Sequence, residues 1–131
     1  MDMKRAVSTT YYAIFHHLCG KTCDLICDPT LGRARQQVYR SIDHGLAKAS
    51  CIEAKAPGKS FPVSIQRYAE TFLVLQQKRH DADYDPVVAF EFNAVHDLIA
   101  ECEAAMQGFD AEDERHRLAF VLLVALKRRG R

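Results

Sequence analysis

The chain has 131 residues, of which 48% are hydrophobic, and this is enough for one domain whose core needs no metal ion or disulfide bond. Eighteen Lys and Arg against seventeen Asp and Glu give a formal net charge of +1, which excludes capture of a polyanion by a strong overall field. A nucleic-acid partner would have to be bound through a local basic patch. The five cysteines and an N-terminal segment without an apolar signal core indicate reduced thiols and a cytoplasmic location.

Apolar residues recur at helical spacing between a few glycine- and proline-containing joints, and this pattern predicts an all-α fold. We expect a single domain, residues 1–131, built as an antiparallel bundle of four to five helices. The expected helices cover residues 3–27, 31–51, 62–79, 86–107 and 111–128.

Charged residues mark the expected ends of the later helices. Asp85 followed by Pro86 is typical of an N-cap with proline at the first helical position. Asp110 stands before an acidic run, which favours the electropositive start of the last helix. The basic run 127–129 would complement the other end of that helix.

The first predicted helix has two distinct faces. Its core stripe consists of Val7, Tyr11, Leu18 and Leu25, flanked by Ile14 and Phe15. Beside this stripe runs a ladder of small polar groups that includes Ser8, Tyr12 and His16. Such a ladder either makes hydrogen bonds at a seam between helices or forms a functional site, and the sequence leaves both interpretations open.

The third predicted helix carries an arginine on its inward side. Arg79 continues the apolar stripe formed by Ile65, Tyr68, Phe72 and Leu75. A guanidinium in that position is costly unless a carboxylate, several carbonyls or a bound anion compensates it. One interpretation is a structural pair with Asp81 or Asp83, and the other is a phosphate-binding Arg79 with His80 or a nearby histidine for proton transfer.

The last predicted helix is apolar almost all round from Leu118 to Leu126, a run far shorter than the roughly 20 residues that cross a bilayer. We therefore expect no membrane partner. A helix of this kind takes a central position or forms a homodimer interface, and we favour the interface.

Cofactor chemistry has little support in the sequence. Cys19, Cys23 and Cys27 follow His16 on one helix, but structural zinc usually draws on closely spaced pairs from two segments. The chain contains no glycine-rich dinucleotide motif, no P-loop and no Gly-x-Ser-x-Gly elbow. We predict no metal site and no cofactor.

Two motifs together carry a resemblance to a known family. The first is Ser-x-x-Tyr-Tyr-Ala-x-Phe-His, starting at Ser8, and the second is Arg-x-x-Ala-Asp-Tyr, from Arg79 to Tyr84. This combination resembles the HEPN superfamily (higher eukaryote and prokaryote nucleotide-binding domains), in particular its small stand-alone bacterial and archaeal branch. The resemblance extends from the first helix to the loop after the third.

The resemblance implies a helical bundle that commonly dimerises, often beside a nucleotidyltransferase-like partner in toxin–antitoxin pairs. Many such proteins are metal-independent endoribonucleases that cleave RNA through the 2'-hydroxyl. Their motif is an arginine followed after four to six residues by a histidine, and two motifs meet across the dimer. In this chain residues 84–86 occupy those positions and none is histidine. His16, His17 or His44 could approach Arg79 from other helices.

The leading hypothesis is a HEPN-like RNA- or nucleotide-binding protein, possessing ribonuclease activity if a histidine serves as acid or base. Arg79 would bind phosphate, with His80 or His16 for proton transfer. The other binding residues would be Ser8, Tyr12, Asp83 and Tyr84.

The alternative is a non-catalytic interaction module that dimerises and partners a nucleotidyltransferase-like protein. In that case Arg79 and Asp83 only lock a turn, and the last helix supplies the contact surface. A third hypothesis, a small-molecule sensor, would use the polar ladder of the first helix.

Overall fold

The computed structural model describes residues 2–126, and within this range it contains six α-helices and no β-strand. In chain order the helices are α1 (Met3–Ile26), α2 (Gly32–Ser41), α3 (His44–Lys55), α4 (Val63–Tyr84), α5 (Phe92–Ala111) and α6 (Glu114–Ala125). The all-α prediction is confirmed. None of these helices has both the length and the apolar character needed to cross a membrane.

The expected count of four to five helices is wrong, because the helix predicted at residues 31–51 is two helices, α2 and α3. The break falls at Ile42, whose backbone is extended and whose side chain is buried in the core. Asp43 then caps α3 by accepting a hydrogen bond of 2.6 Å from the backbone N–H of Leu46. Burial of the Ile42 side chain and the N-cap at Asp43 together stabilise two separate helices more than one continuous helix would be stabilised.

The junction after Arg79 also differs from the prediction. α4 runs on to Tyr84, and Asp85 is its C-cap, not the N-cap of the next helix. The extra turn buries Ala82 against Val7 of α1 and Val95 of α5. Asp85 instead accepts a bond from the Val87 backbone N–H in a turn, and α5 begins only at Phe92.

The acidic residues from Asp110 to Glu114 are divided between the end of α5 and the start of α6. α5 continues through Asp110, so the predicted helix start at that residue is wrong. Asp113 is the N-cap of α6 and accepts a bond of 2.8 Å from the Arg115 backbone N–H. Asp110 faces α1, where it pairs with His17. The basic run 127–129 lies outside the described residues.

The core lies where α1 and α4 meet, with α3, α5 and α6 packed around them. The predicted stripe of α1 is confirmed except at Leu25, which is only partly buried. Fully buried aromatic rings make up the centre, and each contributes roughly 1.5 to 3 kcal/mol through burial. They are Tyr11, Tyr68, Phe72, Phe109 and Phe120.

Two helices lie at the edge of this core. α6 buries Phe120, Val121 and Val124, whereas Leu122 and its C-cap residue Leu126 are 37% and 63% exposed, so α6 does not take a central position in the described chain. The homodimer interface expected on α6 stays a prediction. α2 has no buried residue and packs mainly against α1.

Candidate functional site

Arg79 lies at the seam between α4 and α1, as its place in the apolar stripe predicts. Its side chain is 25% exposed, and its Cζ atom lies 5.8 Å from the ring centroid of Tyr11 and 5.3 Å from that of Tyr12. The two tyrosines are consecutive on α1 and therefore present two ring faces to one cation. Such contacts stabilise a guanidinium that has lost part of its water.

Two polar groups hold the guanidinium in place. Nη2 donates a hydrogen bond of 2.7 Å to the phenol oxygen of Tyr12. Nε is buried and lies 2.8 Å from Oδ2 of Asp83, yet its N–H is not directed at any acceptor in the described part of the chain. The other oxygen of Asp83 accepts a bond of 3.2 Å from Ser8. The structure thus brings together Ser8, Tyr12, Arg79 and Asp83 of the predicted site.

His44 joins this cluster from the first turn of α3. Its Nδ1 lies 2.5 Å from the phenol oxygen of Tyr11, and its ring stacks on Phe15 with a centroid distance of 4.1 Å. Gln76 donates a bond of 3.1 Å to the His44 carbonyl. Burial, followed by the positive charge of Arg79, lowers the pKa of His44.

The tautomer of His44 follows from its partner. Burial raises the pKa of Tyr11 to about 12, so this phenol stays protonated at neutral pH. Gln76 donates to the same oxygen over 3.4 Å, an arrangement that favours donation from the Tyr11 O–H to Nδ1 of His44. The neutral imidazole then carries its proton on Nε2 and acts there as a hydrogen-bond donor, not as a base.

His16 lies one turn beyond Tyr12 on α1 and pairs with Tyr39 of α2. Nδ1 of His16 is 2.8 Å from the Tyr39 hydroxyl, the ring centroids are 6.1 Å apart, and the ring planes differ by only 17°. The hydrogen bond thus joins two nearly parallel rings, and we name this pair the Tyr39–His16 tile. Tyr12 lies beside it, with its centroid 6.2 Å from that of His16.

The remaining predicted site residues, His80 and Tyr84, contact each other near the end of α4. Tyr84 is 68% exposed, and its ring contacts His80 at a centroid distance of 4.9 Å. His80 is exposed but lines a small cavity of about 280 Å³ between α3 and α4. The lining residues are Lys48, Leu73, Gln76, Gln77, Arg79 and His80.

A second polar network escaped the sequence analysis. His17 bridges Tyr68 and Asp110, with its Nδ1 2.8 Å from the phenol oxygen and its Nε2 3.0 Å from the carboxylate. Lys21 lies 3.5 Å from the same carboxylate. Tyr68 is fully buried and its pKa is raised well above the usual value, chiefly by burial, so this network serves the core. The one signal of this network in the sequence is the four-residue spacing of His17 and Lys21, which places both on the same face of a helix.

The cysteines do not form a metal site within residues 2–126, where no three His, Cys, Asp or Glu side chains are placed to hold an ion. All five are free thiols. Cys23 donates a weak bond to the Arg35 carbonyl at 3.5 Å. Burial raises the pKa of Cys19 and Cys51 to about 12, which makes both poor ligands at neutral pH.

No family model, no curated protein and no solved structure matches this chain.

Proposed function

We propose that this protein binds RNA or a nucleotide in the manner of the HEPN superfamily, with Arg79 as the phosphate ligand. The observation that carries the proposal is the cavity between α3 and α4. Lys48, Arg79 and His80 line it together with the amides of Gln76 and Gln77, and no carboxylate is among its described lining residues. A small concave site with two cationic side chains, of which Arg79 is held in place by Tyr12 and Asp83, and with neutral donors suits a phosphate group.

Arg79 keeps donors for such a ligand. Tyr12 takes one N–H of Nη2, and Asp83 approaches Nε. Within residues 2–126 no acceptor bonds the Nη1 atom, and a quarter of the side chain is exposed. A phosphate could thus contact the guanidinium without displacing either partner, and the pre-set orientation would reduce the entropy cost of binding.

Cleavage of RNA is the extension of this proposal. Attack by the 2'-hydroxyl needs a base, and His80 is the described histidine that lines the cavity. His44 is less suited, because its Nδ1 accepts from Tyr11 and its other nitrogen carries the proton. A metal-independent ribonuclease, the toxin of a toxin–antitoxin pair, would then use Arg79 on phosphate and His80 on the hydroxyl.

Calorimetric titration with adenosine monophosphate and with a short single-stranded RNA tests binding. Arg79→Gln should weaken both by about tenfold or more, since a charge-assisted bond to phosphate is worth roughly 1.5 to 3 kcal/mol. Arg67→Gln removes an exposed cation of the same helix and is the matched control. Equal affinities for the two variants would refute the phosphate role of Arg79.

Cleavage is tested separately, by incubating RNA with the protein in the presence of a chelator. The proposed enzyme cleaves, His80→Ala does not, and His96→Ala, an exposed histidine of α5, serves as the control. Binding without cleavage would leave a nucleotide-binding protein and remove the ribonuclease extension.

The second candidate is a non-catalytic interaction module, a homodimer that partners a nucleotidyltransferase-like protein. The bond and ion pair that tie Arg79 to Tyr12 and Asp83 favour it, because they are sufficient reasons for an arginine at this seam. The exposed Leu122 of α6 and Leu126, the C-cap of that helix, offer a contact surface. This candidate predicts that Arg79→Gln lowers the melting temperature, that wild type binds no RNA, and that Leu122→Lys converts a dimer to a monomer in sedimentation.

A further inference from the structure

α2 is unusual among the helices because burial of its side chains in the core does not explain its stability. It contributes no buried residue, and it packs mainly against α1. Its ten residues include three arginines and no acidic residue. An isolated helix of this length is marginal in water, so its attachment through Tyr39 to His16 fixes an otherwise weak element.

The arginines of α2 have different surroundings. Arg35 faces α1 and forms an ion pair of 2.7 Å with Asp24. Arg33 and Arg40 are exposed, and neither forms an ion pair within the described part of the chain. With Gln36 and Gln37 between them at helical spacing, they form one outward strip that we name the α2 cationic face.

The spacing along this face selects the kind of ligand. Arg33 and Arg40 are seven residues apart, which places their backbones roughly 10 Å apart along the helix axis. Phosphates that follow one another along a polynucleotide can each meet one of these two exposed guanidinium groups, whereas a nucleoside monophosphate offers a single phosphate. A face of this length therefore favours a polynucleotide over a mononucleotide.

The aromatic rings connect the α2 cationic face to Arg79. Tyr39, His16 and Tyr12 follow one another across α2 and α1, and Tyr12 accepts the hydrogen bond of Arg79. His16 is exposed, and Tyr39 and Tyr12 are half-buried. Rings on such a path can stack with unpaired bases, which a duplex does not present.

We propose that α2 is the docking element for single-stranded RNA, whose phosphates lie on Arg33 and Arg40, whose bases stack on the Tyr39–His16 tile, and whose chain leads to Arg79. This inference rests on the proposed nucleotide binding at Arg79. It specifies that the ligand of Arg79 is an RNA strand and not a free nucleotide.

The decisive experiment compares the double variant Arg33→Gln/Arg40→Gln with wild type, by fluorescence anisotropy of a short single-stranded RNA over a series of salt concentrations. Glutamine is nearly as good a helix former as arginine, so α2 is retained. The slope of log affinity against log salt should become shallower by about 1.4, since each phosphate contact on a single strand contributes roughly 0.7.

The control Arg5→Gln/Arg67→Gln removes the same charge from exposed positions on α1 and α4 and should keep the wild-type slope. His16→Gln removes one ring of the tile but keeps a side chain that can bond the Tyr39 hydroxyl, and it should weaken RNA binding about tenfold through lost stacking while the slope stays constant. Adenosine monophosphate should bind wild type and the α2 double variant equally.

The outcomes separate the two proposals. If the α2 double variant keeps the wild-type salt slope while Arg79→Gln loses affinity, the docking role of α2 is refuted and nucleotide binding at Arg79 survives. If wild type binds neither RNA nor adenosine monophosphate, both are refuted. A duplex RNA bound as tightly as the single strand would refute the stacking role of the tile.

Discussion

Nη2 of Arg79 lies 2.7 Å from the phenol oxygen of Tyr12, and this hydrogen bond joins the last turns of α4 to α1. The same guanidinium lies over the Tyr12 ring and beside the Asp83 carboxylate. A half-buried arginine is thereby compensated by a neutral oxygen, a ring face and one charge. The phenol of Tyr12 therefore helps to fix the orientation of the guanidinium.

Tyr12→Phe removes this acceptor and keeps the ring. We expect the free energy of unfolding to fall by about 0.5 to 1.5 kcal/mol, the usual net value of one hydrogen bond. Urea unfolding measures it. Tyr84→Phe is the matched control, because Tyr84 is 68% exposed, and it should change stability by less than about 0.5 kcal/mol. Equal losses in the two variants would show that the bond to Arg79 contributes nothing.

Asp83→Asn separates the structural role of the carboxylate from its effect on a ligand. Because the pair is partly exposed, the loss of stability should stay near 1 kcal/mol or below. Affinity for inorganic phosphate should rise, since the guanidinium then lacks its nearby negative charge. Calorimetry checks this, with Asp97→Asn, an exposed carboxylate on α5, as control. An unchanged phosphate affinity in Asp83→Asn would count against anion binding at Arg79.

The sequence predicted the helical class, the inward side of α1 and the inward place of Arg79, because periodicity reports which face is buried. It did not predict the break at Ile42, since a buried aliphatic residue fits either one long helix or a tight corner. The end of α4 was missed for a similar reason. Asp85 and Pro86 suit a helix start and a turn equally, and burial of Ala82 decided between them.

The sequence predicted only part of the cluster around Arg79. Ser8, Tyr12, Arg79 and Asp83 meet because they lie on two faces that periodicity places in contact. His44 and Tyr39 reach the cluster from separate helices, and local spacing contains no information about such distant contacts. Tyr84 lies at the end of α4 and is 68% exposed, so it stays outside this cluster, and its binding role remains a prediction.

Phe109→Ala tests the packing of α5 on the core. Phe109 is fully buried, 4.5 Å from Tyr68 between ring centroids, and its removal leaves a cavity that should cost about 3 to 5 kcal/mol. Phe92→Ala, at an exposed position of the same helix, should cost far less. Denaturant unfolding of both variants measures the difference. Similar losses would mean that α5 does not pack as the structure shows.

The thiols should react with an alkylating reagent in an order set by burial. Burial raises the pKa of Cys51 to about 12 and that of Cys102 to about 11, which leaves little reactive thiolate at neutral pH. Cys27 is only partly buried and should be modified first in the folded protein. Mass spectrometry of digested samples follows each site, and Cys27→Ser should remove the fast phase. Fast modification of Cys51 would contradict its buried position.

Stability should decrease in mildly acidic solution because of two histidines. Burial is the main cause that lowers the folded-state pKa of His17 and of His44 below the ordinary 6.5. Below about pH 6.5 the unfolded chain then binds more protons than the folded one. The free energy of unfolding therefore keeps its highest value above about pH 6.5 and decreases as the pH falls below it. Urea unfolding across this range should show the loss, and His17→Gln/His44→Gln should reduce the slope. His96→Gln, at an exposed position, should retain it. A wild-type stability that stays constant below pH 6.5 would show that neither imidazole is held neutral by the fold.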